Sequence, residues 1–218
     1  MLASIYLTVA ETALWLFTTT TVSFFLPPIF STICLAVLVF WRFGAQIITL
    51  PTRKDINLRE IVRLWPHLYL LYSARVNNID VWNTLSKYPI KTIIVPVKEE
   101  IVYRFILPQV MMARFRNPSR FLKHVSVLLS SILFCYAHRN TFELLFLDMM
   151  VCFVSGIALG IRSQKKNFLS IMETTGIHAL HNMHAITSAN KGIRSGASHA
   201  SPVAFYSTMI FTDIWLDR

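Results

Sequence analysis

The chain has 218 residues, of which 54% are hydrophobic and only 15% are charged, and its mean hydropathy is +0.51. A soluble domain carries about 25% charged residues, so this composition argues against an ordinary soluble fold and predicts a helical bundle in a lipid bilayer. The 21 Lys and Arg residues outnumber the 11 Asp and Glu residues, but they lie in short clusters between apolar runs. Such clusters are typical of loops beside anionic lipid headgroups and argue against nucleic acid as a partner.

The first 50 residues contain two apolar runs that are each long enough to cross a membrane. A helix needs about 20 residues to span the hydrocarbon core, and residues 2–26 and 29–50 both meet this length. Pro27 and Pro28 lie between the runs and favour a tight turn, because proline breaks a continuing helix. We therefore predict an N-terminal transmembrane hairpin over residues 1–50.

Residues 51–88 are more polar and are predicted to connect the hairpin to the rest of the bundle. Charges of both signs alternate over residues 53–63, which favours a helix on the membrane surface. The apolar stretch 65–74 is too short to cross the bilayer unaided, so we expect it at the interface or partly inserted. The sequence leaves the topology of this connector open.

Four further membrane segments follow, at residues 89–113, 122–138, 144–161 and 168–189, and a shorter apolar stretch lies at 203–216. Together with the hairpin they predict an all-α, polytopic transmembrane bundle of about six to seven membrane segments. The protein is therefore expected to be a multi-pass integral membrane protein.

Two further patterns concern how these segments pack and orient. Gly156 and Gly160 have the GxxxG spacing that lets two helices approach closely. The loops at 51–63, 114–123 and 162–167 are basic, which places them on the same, cytoplasm-like side by the positive-inside rule.

Two adjacent glutamates lie in the middle of the segment at 89–113. A charged side chain at the centre of the bilayer costs roughly 2.5–3.5 kcal/mol, so Glu99 and Glu100 require a specific role. Neighbouring helical residues point about 100° apart, so we expect the two carboxylates to face different directions. Glu100 can pair with Arg104 one turn later, which leaves Glu99 to face a cavity.

Histidines and an asparagine lie in two later segments. Phe134 and His138 are four residues apart near the end of one segment, and His178 and Asn182 share one face of another. If three helices bring the carboxylate, two imidazoles and the amide together, the group can activate water. The carboxylate would accept a proton from water, and the donors would stabilise an oxyanion.

The spacing of these residues resembles a known family. Residues 99–104 form an EExxxR motif, residues 134–138 an FxxxH motif and residues 178–182 an HxxxN motif. In this order, on successive membrane segments, the motifs resemble the CPBP family of intramembrane proteases, which includes the type II C-a-a-X prenyl endopeptidase and bacteriocin-immunity proteins. The resemblance covers about residues 89–190, so residues 89–218 are interpreted as a catalytic-type membrane core.

The resemblance implies an intramembrane endopeptidase in which Glu99 is the general base and His138 shares the activated water. His178 and Asn182 would stabilise the oxyanion. The supporting residues would be Glu100, Arg104 and Phe134.

A glutamate mechanism of this kind requires no cofactor. The alternative is a divalent metal such as zinc held by Glu99, His138 and His178 with an open fourth position. The expected partners are membrane lipid and a peptide or lipidated-protein substrate.

Two other functions remain open at this point. A member of the same fold without activity could serve as a subunit or scaffold among neighbouring membrane subunits. A b-type haem protein could use His138 with His178 or His181 as axial ligands, but this would leave Glu99, Glu100 and Arg104 without a role.

Overall fold

The computed structural model describes residues 10–15, 17–18, 21–22, 26–43, 62–112, 115, 118–141, 145–165, 168–190 and 197–216. These residues form helices and turns without β-strands, which confirms the predicted all-α class. Most of the first predicted span, the end of the second and the predicted surface helix up to residue 61 lie outside the described residues.

The helices are numbered here in chain order. The N-terminal group is α1 (Pro28–Phe43), α2 (Trp65–Val76) and α3 (Val81–Lys87). The longer helices that follow are α4 (residues 90–112), α5 (Arg120–Ala137), α6 (Leu145–Arg162), α7 (Phe168–Asn190) and α8 (Ala197–Leu216).

The helix bounds agree with the predicted segments at most ends. The exception is α8, which begins at Ala197, before the predicted stretch at 203–216. The apolar pattern in the sequence covers only the residues after Pro202, whereas the helix also includes the more polar residues before this proline.

One described helix, α5, is both long and apolar enough to cross a membrane, with a mean hydropathy of 1.3, and α1 contains a shorter apolar stretch, Pro28–Leu38. The count of six to seven membrane segments and the boundaries at residues 50 and 88 therefore remain predictions.

Helix α4 is continuous but contains two widened, π-helical turns, Ile90–Ile94 and Glu100–Ile106. Each turn is followed closely by a proline, Pro96 or Pro108. A proline ring clashes with the carbonyl four residues earlier and donates no backbone N–H, so a wider turn relieves the clash. Turns of this kind are frequent at functional sites, and here the second one begins at the glutamate pair.

Helices α5 and α6 pack closely through the predicted glycine pair. A Cβ atom added to Gly156 would lie 3.0 Å from the Ser131 Cβ, and one added to Gly160 would lie 2.7 Å from a methyl carbon of Val127. Only glycine allows this approach without displacing the facing side chain, so the predicted role of the GxxxG pattern in packing is confirmed.

Helix α7 lies between two hydrophobic clusters and joins them. Its residue Ile171 packs in the first cluster, with residues of α1 and α4, and its residue Ile177 packs in the second, with residues of α2, α6 and α8. This central position lets α7 present one face to the glutamates of α4. The other members of the clusters are Leu35, Val102, Phe105, Ile106 and Val110, and Leu70, Ala158, Leu159, Phe205, Tyr206 and Met209.

A buried group of charges ties the far end of α6 to α7 and α8. The guanidinium of Arg162 donates to both carboxylate oxygens of Asp213, at 3.1 and 3.0 Å. Glu173 lies 3.3 Å from Arg162 and 3.8 Å from Arg63. Because each buried charge has an opposite charge beside it, the group avoids the cost of an isolated ion.

Candidate active site

The carboxylate of Glu99 lies between two imidazole rings from different helices. Its Oε1 is 3.1 Å from His138 Nε2, and its Oε2 is 3.5 Å from His178 Nε2. The Glu99 side chain is 13% exposed and that of His138 is 27% exposed, so this pair reaches the molecular surface. The structure therefore brings together three of the four residues that were predicted to be catalytic.

The end of α5 fixes the orientation of His138. His138 Nδ1 lies 2.8 Å from the backbone carbonyl of Phe134, one turn earlier, so Nδ1 carries the hydrogen and donates it. Nε2 faces the Glu99 carboxylate at 3.1 Å, and it donates to that carboxylate when the ring is doubly protonated. The FxxxH spacing thus supplies the carbonyl that sets the tautomer.

His178 contacts both glutamates. This differs from the expectation that the two carboxylates would face different directions and have separate partners. Its Nε2 faces Glu99, and its Nδ1 lies 2.9 Å from Glu100 Oε1. The two nitrogens lie on different edges of one ring, so adjacent carboxylates that diverge can still reach the same imidazole. A doubly protonated ring would donate to both of them.

Glu100 and Arg104 form the predicted pair one turn apart. Arg104 Nε lies 3.7 Å from Glu100 Oε2, and both side chains are almost completely buried. Among the described residues, no group accepts a hydrogen bond from the Arg104 nitrogens. The guanidinium instead lies over the ring of Phe134, 4.5 Å from its centroid, so the cation is held by opposite charge and by the ring face.

Phe134 lies at the centre of the site. Its ring centroid is 4.4 Å from that of His138, 5.2 Å from that of Tyr103 and 6.0 Å from that of His178. One buried ring therefore packs against both histidines and beneath the arginine.

Asn182 lies one turn after His178, and its amide nitrogen donates to the backbone carbonyl of Lys91 at 3.1 Å. The π-helical turn of α4 explains this contact, because the Lys91 carbonyl would pair with the residue five positions later. That residue is Pro96, which has no N–H. Asn182 therefore joins α7 to α4 with one of its two amide hydrogens.

Serine hydroxyls approach the second π-helical turn of α4, and the sequence did not predict these contacts. The hydroxyl of Ser130 donates to the carbonyl of Tyr103, which stands five residues before Pro108. The hydroxyl of Ser163 lies 3.4 Å from the neighbouring carbonyl of Arg104 and 3.0 Å from that of Gly160. The prolines inside α4 could have indicated these contacts in the sequence, because the carbonyls one turn before a proline need hydrogen-bond donors from other helices.

The remaining histidines of α7 make contacts outside the site. The ring of His181 packs against that of Tyr206, with centroids 5.5 Å apart, and His184 Nε2 lies 3.0 Å from the carbonyl of Leu70. Both contacts join α7 to neighbouring helices.

The alternative metal mechanism would use Glu99, His138 and His178. The two oxygens of Glu99 lie 3.1 and 3.5 Å from the Nε2 atoms of the two histidines. No group of three or more His, Cys, Asp or Glu side chains among the described residues has the geometry of a metal site. The metal alternative remains a prediction, and the mechanism proposed below is written for the side chains alone.

Three comparisons with known proteins test the predicted family. Residues 81–184, a little under half of the chain, match the family model described as type II CAAX prenyl endopeptidase Rce1-like. Searches of curated proteins and of solved structures found no match. The matched region contains the EExxxR, FxxxH and HxxxN motifs and all the side chains around Glu99, and the family is one of membrane-embedded proteases. The predicted family is thus confirmed over residues 81–184, which match the Rce1-like type II CAAX prenyl endopeptidase family.

Proposed function

We propose that this chain is an intramembrane endopeptidase of the CPBP type, which hydrolyses a peptide bond at or within the membrane. The observation that carries the proposal is the Glu99 carboxylate, with His138 Nε2 at 3.1 Å and His178 Nε2 at 3.5 Å. A carboxylate at this depth is costly, and two imidazoles directed at its two oxygens give it a chemical role. The family match over the same residues supports this assignment.

Glu99 and His138 are the proposed water-activating pair. Because the Nδ1 hydrogen of His138 is held by the Phe134 carbonyl, Nε2 of the neutral ring can accept a hydrogen bond from a water molecule that replaces the direct contact with Glu99. The carboxylate accepts a proton as the water oxygen bonds to the carbonyl carbon of the substrate.

His178 and Asn182 are the proposed oxyanion donors. The Nε2–H of a protonated His178 can turn from Glu99 to the tetrahedral oxyanion, and Asn182 has a second amide hydrogen beyond the one donated to Lys91. When the C–N bond breaks, Glu99 returns its proton to the leaving nitrogen. One water molecule is thereby divided between the new carboxyl group and the new amine.

Glu100, Arg104 and Phe134 are proposed to position these groups. Glu100 accepts from His178 Nδ1 at 2.9 Å, which directs Nε2 toward Glu99. Arg104 lies between the Glu100 carboxylate and the Phe134 ring, so it balances the buried charge. Removing a positioning residue should lower the turnover number more than the affinity for substrate.

We propose the substrate class from the family match and the expected location in the membrane. A family of prenyl endopeptidases supports a peptide or lipidated-protein substrate that reaches the site from the membrane, with surrounding lipid as the second partner. We propose a multi-pass topology for the same reason, since the motif-bearing helices must enclose the reacting bond.

The two alternatives are less well supported. A haem between His138 and His178 would require the space that the Glu99 carboxylate occupies. An inactive subunit or scaffold would have no need for intramembrane glutamates held by histidines, although neighbouring membrane subunits remain compatible with an active protein.

Hydrolysis in proteoliposomes tests the proposed function. The substrate is a quenched fluorescent peptide that ends in a farnesylated C-a-a-X sequence, and the variants are Glu99→Gln and His138→Ala. Loss of a general base lowers rates by about 10²- to 10⁴-fold, and we expect a loss in this range for each variant.

Two matched controls separate chemistry from folding. His124→Ala removes a histidine from the same helix as His138, and Asp148→Asn removes an acid from α6; both should retain hydrolysis. Cleavage that is unchanged in Glu99→Gln would contradict the mechanism. A wild-type protein that cleaves neither this peptide nor an unprenylated one would favour the scaffold function, and a Soret band in the purified protein would favour haem.

A further inference from the structure

A cavity of about 250 Å³ lies at one end of the bundle, away from Glu99. Polar side chains line it from the loop before α3, from α3 and the residue that directly follows it, and from the end of α7. We call it the interface cavity, and its lining residues are Asn78, Asp80, Asn83, Thr84, Lys87, Tyr88, Thr187 and Asn190.

Helix α7 contributes to both the Glu99 site and the interface cavity. Its contacts run in order from the site to the cavity: His178 to the glutamates, Asn182 to Lys91 and Thr187 to Thr84. From His178 to Thr187 the distance along the helix axis is about 14 Å, and the nine residues also turn the helix by about 180°. An extended peptide advances about 3.3 Å per residue, so at least about four to five residues are needed to bridge the two places.

The surroundings of the interface cavity are those of a membrane–water boundary. Trp82 on α3 is 80% exposed, although tryptophan is usually at least partly buried in soluble proteins. Lys87 lies over the ring of Tyr88 at 5.6 Å. Trp, Tyr and Lys side chains are concentrated at headgroup level in membrane proteins, and this composition fits a cavity at the membrane–water boundary.

The lining chemistry favours an uncharged polar ligand. One Asp and one Lys balance each other, so no net charge attracts a phosphate or a carboxylate. The three asparagines offer amide donors and acceptors that match those of a peptide unit. Asn78 has a φ of 51°, a left-handed conformation that few residues other than glycine and asparagine adopt readily.

We propose that the interface cavity binds the main chain of the substrate segment that lies on the aqueous side of the scissile bond. This inference rests on the proposed function. It adds a second binding site for neutral, polar peptide, through which the enzyme would favour substrates that continue well beyond the membrane surface.

Peptide length tests this inference by binding, without hydrolysis. The protein carries Glu99→Gln and is held in phosphatidylcholine nanodiscs, with empty nanodiscs as the blank. Two fluorescein-labelled peptides share a farnesylated C-a-a-X end. The long peptide has about ten neutral Gly, Ser and Asn residues before the cysteine, which is more than the bridge between the site and the cavity requires. The short peptide has about two such residues, which is too few to reach the cavity.

The key variant is Asn83→Ala with Asn190→Ala. From the usual strength of hydrogen bonds, we expect its dissociation constant for the long peptide to rise about tenfold, with no change for the short peptide. The control Ser86→Ala alters an exposed residue of α3 outside the cavity, whose hydroxyl donates to the Asn83 carbonyl, and it should change neither constant.

Several results would overturn the inference. One is an unchanged affinity of the double variant for the long peptide, and another is an equal loss for both peptides. If that equal loss were reversed when phosphatidylglycerol replaces phosphatidylcholine, the cavity would hold a lipid headgroup.

Hydrolysis by the protein with Glu99 intact is measured separately. If binding depends on length but neither peptide is cleaved, the proposed function fails and the peptide site stands. If both peptides are cleaved with the same kcat/KM and binding does not depend on length, the proposed function stands and the peptide site fails.

Discussion

Replacing Glu100 with glutamine separates the structural and chemical roles of the buried charges. The Glu100 side chain is fully buried, with Arg104 Nε 3.7 Å from one oxygen and His178 Nδ1 2.9 Å from the other. In Glu100→Gln, Arg104 keeps its charge but loses the carboxylate beside it. Removing one partner of a buried ion pair costs about 3–5 kcal/mol, so we expect the free energy of unfolding to fall by that amount.

Thermal unfolding followed by tryptophan fluorescence in detergent measures this loss. At about 2–4 °C per kcal/mol for a chain of this size, the midpoint should fall by roughly 10 °C. The double variant Glu100→Gln/Arg104→Met removes both charges and keeps the volume, so it should recover most of the stability. It should not recover hydrolysis, because His178 Nδ1 still lacks the carboxylate oxygen that directs its ring toward Glu99.

Two results would refute this reasoning. If Glu100→Gln unfolds at the wild-type temperature, Arg104 does not depend on Glu100 for its charge balance. If the double variant recovers both stability and hydrolysis, Glu100 does not act through His178.

Three further predictions address packing, the second charge group and metal. Gly160→Ala places a methyl group 2.7 Å from Val127 and should destabilise the protein by about 1–3 kcal/mol in thermal unfolding. The double variant Gly160→Ala/Val127→Ala should recover this stability. Gly176→Ala, whose Cβ would lie 3.5 Å from His67, is the control and should not destabilise the protein. Asp213→Asn should lower the free energy of unfolding by about 3–5 kcal/mol, because Arg162 loses its two-point partner, and an unchanged unfolding midpoint would contradict the buried pair. Hydrolysis should persist after dialysis against EDTA and 1,10-phenanthroline, whereas a loss that zinc restores would show that a metal takes part.

The residue types and their spacing already determined much of the candidate site. Buried charge in an apolar segment is costly, so Glu99, Glu100 and Arg104 were conspicuous in the sequence. Helical periodicity was enough to pair Glu100 with Arg104 and Phe134 with His138, because both are contacts within one helix. The GxxxG pattern likewise predicted close packing of α6, since it requires only that a small residue recur on one face.

Contacts between helices could not be obtained in this way. Periodicity describes the direction of a side chain around its own helix axis, but not which helix faces it or at what height. The bridge from His178 to both glutamates, the bond from Asn182 to Lys91 and the group around Arg162 and Asp213 all join residues distant in sequence.

Proline is the point where local chemistry and tertiary structure meet. The sequence alone determined that Pro96 and Pro108 would leave carbonyls of α4 without their usual N–H partners. Only the packing of the neighbouring helices decided which side chains approach those carbonyls, Asn182 for the first turn and Ser130 for the second. An unpaired carbonyl in an apolar setting must find a donor, and which donor comes within reach depends on how the helices are arranged in space.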